Sequence, residues 1–227
     1  FERILVPLDG SELAERAIPY AEEMAAKFGS EVDVVTAGTL ADNMEHPEYR
    51  IYLSKITALM EQNIKKAVVP SAAKKVKVTS DLIGASGLTA HPAEEIIDYA
   101  DKHDIKLIIM ATHGRTGITR WVMGDTANKV AQSFKCPLLL IRAKGEKPAS
   151  IRLEKILVPI DGSKESESVL PYIEALSLKF KPEINLLNIV QMLFHVYAYP
   201  AIASYGGAGI VRIPYNPDEL KPFQEAA

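Results

Sequence analysis

The sequence predicts an α/β fold: an open five-stranded parallel sheet with helices on both faces, followed by a partial second copy of the same fold. Two observations predict it. Short apolar or β-branched runs alternate five times with helical patterns between residues 4 and 141, a pattern that yields parallel strands joined by right-handed crossovers. The chain also repeats itself. Ile4-Leu5-Val6-Pro7-Leu8-Asp9-Gly10-Ser11 returns 152 residues later as Ile156-Leu157-Val158-Pro159-Ile160-Asp161-Gly162-Ser163. The same offset, without a gap, pairs Pro19-Tyr20 with Pro171-Tyr172, Lys27-Phe28 with Lys179-Phe180, and Glu31 with Glu183. A register held that far marks two homologous units in tandem.

The elements of the first unit follow in order. Ile4 to Leu8 is a short apolar run ending at Asp-Gly-Ser, as a buried parallel strand does. Ser11 suits a helix N-cap, and Leu13, Ala17, Tyr20, Ala21 and Met24 recur at helical spacing up to Gly29, a natural stop. Val32 to Ala37 is β-branched and reads as strand two. After a loop with Asn43 and Pro47, residues 48–67 read as a long helix with Ile51, Ile56, Leu59 and Ile64 among its apolar positions. Val76 to Ile83 is strand three, and Pro92 opens a helix that runs to His103. Leu107 to Met110 is strand four, 111–124 a glycine-bearing loop, Thr126 to Phe134 the last helix, and Leu138 to Ile141 strand five.

These assignments divide the chain into a first domain at 1–143, a polar linker at 144–152 and a partial second domain at 153–227. Residue 227 corresponds to position 75 of the first copy, so the second is expected to hold only strand, helix and strand from its first half. Such a half leaves apolar faces and an open edge, which predicts docking on the first copy or on a second chain.

Composition narrows the function classes. Apolar residues make up 48% and charged residues 24%, ordinary for a globular protein, and a net charge of −3 points away from nucleic acid. The apolar runs fall far short of the roughly 18 residues of a membrane span, and no leader pattern precedes the first strand. Cys136 is the single cysteine, which excludes an internal disulfide. A cytoplasmic protein without membrane or nucleic-acid partners is expected.

In open parallel sheets, ligands bind beyond the carboxyl ends of the strands, where strand order reverses. The loops after strands one and four are therefore the ones to inspect, and they carry a resemblance. Ile4 to Ser11, the segment Met110-Ala111-Thr112-His113-Gly114-Arg115-Thr116-Gly117 with Trp121-Val122-Met123-Gly124, and Cys136-Pro137-Leu138-Leu139-Leu140-Ile141 together resemble the universal stress protein family. The likeness covers the whole first copy and residues 154 to about 190. It implies strand order 3-2-1-4-5 and dimers, often through strand five, or a tandem pseudo-dimer within one chain, with a further protein partner left unnamed. It also implies an adenine nucleotide (ATP, ADP or AMP), with or without magnesium, as ligand. Carried onto this chain, the site comprises Pro7, Leu8 and Asp9 after strand one, Ala37 on strand two, and Met110, Ala111, His113, Gly114 and Arg115 around strand four. Gly124, Asp125, Thr126 and Ala127 complete it at the last helix.

ATP-binding members resemble one another in Gly, two residues, Gly, nine residues, Gly, then Ser or Thr. Here nine residues separate Gly114 from Gly124, so that spacing is kept, but Ala111 replaces the first glycine and Asp125 the Ser or Thr. Glycines let backbone amides approach phosphate, and a helix N-terminus adds a favourable dipole. Arg115 and Arg120 add positive charge. Asp125 opposes this, because a carboxylate at a helix start is expected to cap the same amides. It would also repel phosphate: like charges about 4 Å apart cost roughly 4 kcal/mol at an effective dielectric near 20. Ala111 matters only if its backbone has a positive φ or touches the ligand.

The other candidates have bland readings. His113 has no partner nucleophile in the local motif and reads as loop-shaping. The remaining histidines are too scattered for a metal site, and Cys136 reads as a small buried residue. Asp9 and Asp161 also suit simple turn capping. Trp121, Val122 and Met123 read as core packing. Gly206-Gly207-Ala208-Gly209 lacks the Lys-Ser/Thr of a phosphate loop. Three readings stand: a nucleotide-binding module, an interaction protein of the same fold without nucleotide, and a slow ATP hydrolase. The last has no paired base and nucleophile to support it.

Overall fold

A computed structural model describes residues 1–38, 48–68, 76–84, 91–113, 123–142, 151–188, 196–197 and 211–212. The chain divides into two units: Phe1–Leu153 with Lys179–Lys181, and Glu154–Leu178 with Pro182–Ala227.

The first unit contains β1 (Arg3–Pro7), a 3-10 turn (Ala14–Ala17), α1 (Ile18–Phe28), β2 (Glu31–Ala37), α2 (Glu48–Ala67) and β3 (Val78–Ile83). It continues with α3 (Pro92–Lys102), β4 (Leu107–Ala111), α4 (Asp125–Ser133) and β5 (Leu138–Ile141). The strands form one parallel sheet in the order β3-β2-β1-β4-β5. β1 and β4 carry apolar runs, and β2 carries valines around Asp33, because both faces of these strands are covered. Ile4, Leu5, Val6, Val32, Val34, Val35, Ile108 and Ile109 are all fully buried.

Local chemistry sets the helices. Pro19 lies in the first turn of α1, and Gly29 ends it in the left-handed region at φ 74°. Ile18, Ala21, Met24 and Ala25 form its inner stripe. In α2 the buried stripe is Leu53, Met60 and Ile64, whereas Ile51 and Leu59 are 57% and 51% exposed. Ile51 precedes Leu53 by two positions, about 200° around a helix of 3.6 residues per turn, and so lies away from the buried stripe. On one face of the sheet, Leu5, Val35, Ile108 and Met110 pack against Ala93, Ile96 and Ala100 of α3 and Ala127 and Val130 of α4.

Among the described residues one charged side chain is buried. Asp33 on β2 is 1% exposed. It accepts from Arg3 Nε at 2.8 Å and from the Thr79 hydroxyl at 2.5 Å. Burial of a carboxylate is tolerable only with such partners.

The second unit contains β6 (Lys155–Ile160), α5 (Lys164–Glu167), α6 (Leu170–Phe180) and β7 (Glu183–Asn188), and then the short strands β8 (Val196–Tyr197) and β9 (Val211–Arg212). Its parallel pairing repeats that of β1 and β2 at the 152 offset: Arg3 opposite Glu31 becomes Lys155 opposite Glu183, and Pro7 opposite Val35 becomes Pro159 opposite Leu187. The turns repeat too. Gly10 and Gly162 have φ of 78° and 82°, and Ser11 and Ser163 each donate an amide to the preceding aspartate at 2.9 Å. β8 and β9 pair antiparallel. Leu157, Leu178, Leu186 and Leu187 are exposed.

Candidate functional site

A cavity of about 330 Å³ opens at the carboxyl ends of β1 and β4. There the chain order reverses: β1 pairs with β2 on one side and β4 on the other. Side chains beyond these strand ends face a crevice that no crossover fills.

Each wall has a local cause. At the end of β1, Leu8 N donates to the Val35 carbonyl at 2.8 Å, which carries the chain to Asp9. Asp9 Oδ1 accepts from the Ser11 amide at 2.9 Å and the Ser11 hydroxyl at 2.6 Å, and Ser11 Oγ accepts from Ala14 N at 3.1 Å. The turn thus fixes the carboxylate at the cavity edge and brings Ala14 to its wall. Ala37, the last residue of β2, forms another edge.

At the end of β4, Thr112 N donates to the Ile141 carbonyl at 2.9 Å, and Gly124 N donates to the Thr112 carbonyl at 2.9 Å. These two bonds place the start of α4 beside the strand end. Ala111 is the last residue of β4 and is not among the residues with positive φ, so replacing the glycine there imposes no backbone strain. Thr112 Oγ1 and His113 Nδ1 lie 3.0 Å apart, and His113 Nε2 is buried without a hydrogen-bond partner among the described residues.

The start of α4 corrects one expectation. Gly124 occupies the N-cap position at φ −60° and ψ 150°, and no side chain caps it. Asp125 is instead the first residue of the helix and is exposed. With glycine at the cap, the cap residue itself offers no side-chain acceptor to the first-turn amides. Cys136 corrects another: it is exposed in the turn between α4 and β5 rather than buried.

The cavity brings together eleven of the expected residues: Pro7, Leu8, Asp9, Ala37, Met110, Ala111, His113, Gly124, Asp125, Thr126 and Ala127. Gly114 and Arg115 lie outside the described residues, as do Arg120, Trp121, Val122 and the glycines at 206, 207 and 209. Four lining residues were missed: Ala14, Thr112, Pro92 and Ile96. Thr112 sits inside the motif itself. Pro92 and Ile96 carry only a helix-start and a core signal, and nothing in a single sequence turns that face of α3 toward the crevice.

Near Asp9, the Tyr52 hydroxyl donates to Glu15 Oε1 at 3.0 Å. Burial and that bond to a carboxylate push the Tyr52 phenol above its ordinary range. Among the described residues, no group of three or more His, Cys, Asp or Glu could hold a metal ion, and no helix is long and apolar enough to cross a membrane.

The family model for universal stress proteins matches residues 1–142. The chain belongs to the universal stress protein family. A universal stress protein of Methanocaldococcus jannaschii is 28% identical over 146 residues, 63% of this chain and 82% of the relative. The universal stress protein YxiE of Bacillus subtilis is 26% identical over 152 residues, 63% of this chain and 99% of the relative. A crystal structure of a universal stress protein from Archaeoglobus fulgidus aligns with a TM-score of 0.62 at 18% identity, over 84% of this chain and 68% of that one. That last likeness concerns fold alone.

Proposed function

We propose that this universal stress protein is a non-catalytic stress-response module that holds an adenine nucleotide (ATP, ADP or AMP) in the cavity between β1 and β4. The observation that carries the reading is the pairing of Asp9 with the glycine-capped start of α4 across one crevice. Asp9 supplies an acceptor for ribose hydroxyls. The uncapped amides of α4 supply donors for the rest of the ligand. Leu8, Ala37, Ile96 and Met110 supply apolar wall for a base. The volume, about 330 Å³, falls within the roughly 300–1,000 Å³ of small-molecule sites. The hydroxyl–imidazole pair on the described lining, Thr112 and His113 at 3.0 Å, has no third group among the described residues to orient the imidazole, so the module is read as a binder rather than a hydrolase.

Calorimetric titration with AMP and ATP, with and without magnesium, tests this, with Ala37→Phe as the blocked variant. Ala37 is a half-buried strand end on the cavity edge, so the added ring fills the crevice. Micromolar binding by the parent and its loss in the variant are expected. An absence of binding to any adenine ligand, or unchanged binding in the blocked variant, would sink the reading.

Self-association belongs to the same proposal. Leu138, Leu139 and Leu140 of the edge strand β5 are only half-buried, and an apolar edge of this kind suits a dimer contact. The domain division at 1–143, 144–152 and 153–227, and a cytoplasmic location, are proposed alongside it.

A further inference from the structure

We infer that the cavity selects adenine ligands of low charge, a nucleoside ahead of a triphosphate, because Asp125 reverses the sign of the helix end that phosphates need. The inference rests on the proposed adenine site and goes on to name its preferred ligand class.

The charges around the crevice decide the matter. Among the described lining residues, the ionisable side chains are Asp9, His113 and Asp125, with neither Lys nor Arg. A helix N-terminus presents about +0.5 of an elementary charge, and that attraction fades within the first turn. Asp125 is the first residue of α4, so a full negative charge sits on that half-charge and outweighs it. A phosphate monoester carries roughly −1.5 to −2 at neutral pH, and a triphosphate carries more. Each added phosphate therefore meets net repulsion at α4.

A described cation close by, Lys129, does not restore the balance. Lys129 lines the adjoining hollow together with Glu94 and Asp125, not the cavity itself. A nucleoside loses nothing by this arrangement. Ribose hydroxyls and an exocyclic amine are donors, and both carboxylates are acceptors only. The cavity volume, about 330 Å³, also lies toward the lower end of the range for small-molecule sites. Arg115 and Arg120 belong to the loop outside the described residues, and their charges are what the experiment weighs against Asp125.

The test titrates adenosine, AMP and magnesium-free ATP into the full chain and into Asp125→Asn, which keeps the size of the side chain and removes its charge. Thermal melts of both proteins check that the fold is retained. The parent is expected to bind adenosine more tightly than ATP. The substitution is expected to move the ratio of affinities toward ATP by about tenfold or more, with a smaller movement at high salt. If the parent binds ATP most tightly and the substitution leaves the order unchanged, the selectivity is overturned while the adenine site stands. A preference for adenosine that Asp125→Asn does not alter removes Asp125 as its cause. If neither protein binds any of the three, the adenine site itself is lost, and the inference with it.

Discussion

The Gly124 amide donates to the Thr112 carbonyl at 2.9 Å, and this single bond ties the start of α4 to the end of β4. The approach is tight for a side chain. A Cβ built on Gly124 would lie 3.2 Å from the Thr112 oxygen. Its φ of −60° suits any residue, so glycine is favoured here by space and not by conformation. Gly124→Ala should cost about 1 kcal/mol as the helix start is pushed from the strand. Gly124→Val should cost more and weaken any ligand held against the first turn. Denaturant melts of the two variants check the order. Equal stability of parent and valine variant would show that the contact yields freely.

Asp9 has two separable tasks. Its Oδ1 holds the Ser11 amide and hydroxyl, and its carboxylate lines the cavity. Asp9→Ala should destabilise the chain by about 1 kcal/mol through loss of the turn. Asp9→Asn keeps an acceptor for Ser11 and should recover most of that stability. If the negative charge also serves a bound ribose, Asp9→Asn should still weaken ligand binding several-fold. Recovery of both stability and binding would leave Asp9 a turn residue only.

These two positions show why the sequence was informative where it was. The Asp-Gly-Ser turn and the strand-four motif are local, and local signals survive in a single chain. Gly29 as a helix stop, Glu48–Ala67 as a helix and Leu138–Ile141 as a strand were legible for the same reason. The position of Ile96 was not, because its spacing says only that it faces inward. The packing of α3 against α4 and the sheet decides that it also meets the cavity. Asp125 was misplaced by one residue: Asp is a favoured cap, but Gly124, bonded to Thr112, already holds that position. Cys136 was read as buried from its type, whereas its place in a turn exposes it.

Two polar groups inside β2 should respond oppositely to removal. Asp33 is 1% exposed and bonded to Arg3 and Thr79. Asp33→Ala leaves a cation and a hydroxyl without their acceptor and should cost about 2–3 kcal/mol. Thr36 is also buried, but its hydroxyl has no hydrogen-bond partner among the described residues. Thr36→Val keeps the β-branched shape and drops the unsatisfied oxygen, so it should stabilise the chain by about 1 kcal/mol. Urea melts compare both with the parent. Loss of stability in Thr36→Val would mean that the hydroxyl is satisfied in solution.

Tyrosine ionisation offers a test of packing that needs no ligand. Tyr99 stacks on His103 with centroids 3.8 Å apart and planes at 15°. Burial, with Asp33 and Asp81 nearby, pushes its phenol up to about 12 from an ordinary 10. A pKa raised on folding means that the folded state keeps the proton longer than the unfolded chain does. The resulting stability is fully present below pH 10, and it is lost as pH rises through about 12. Tyr52, bonded to Glu15, is pushed in the same direction. An ultraviolet titration should therefore show part of the tyrosine absorbance change delayed past pH 10, and Tyr99→Phe should remove a share of the delayed portion. Tyr99→Phe should also flatten the fall in stability over that interval. A single transition near pH 10 in the folded parent would show that Tyr99 and Tyr52 are open to solvent rather than half-buried.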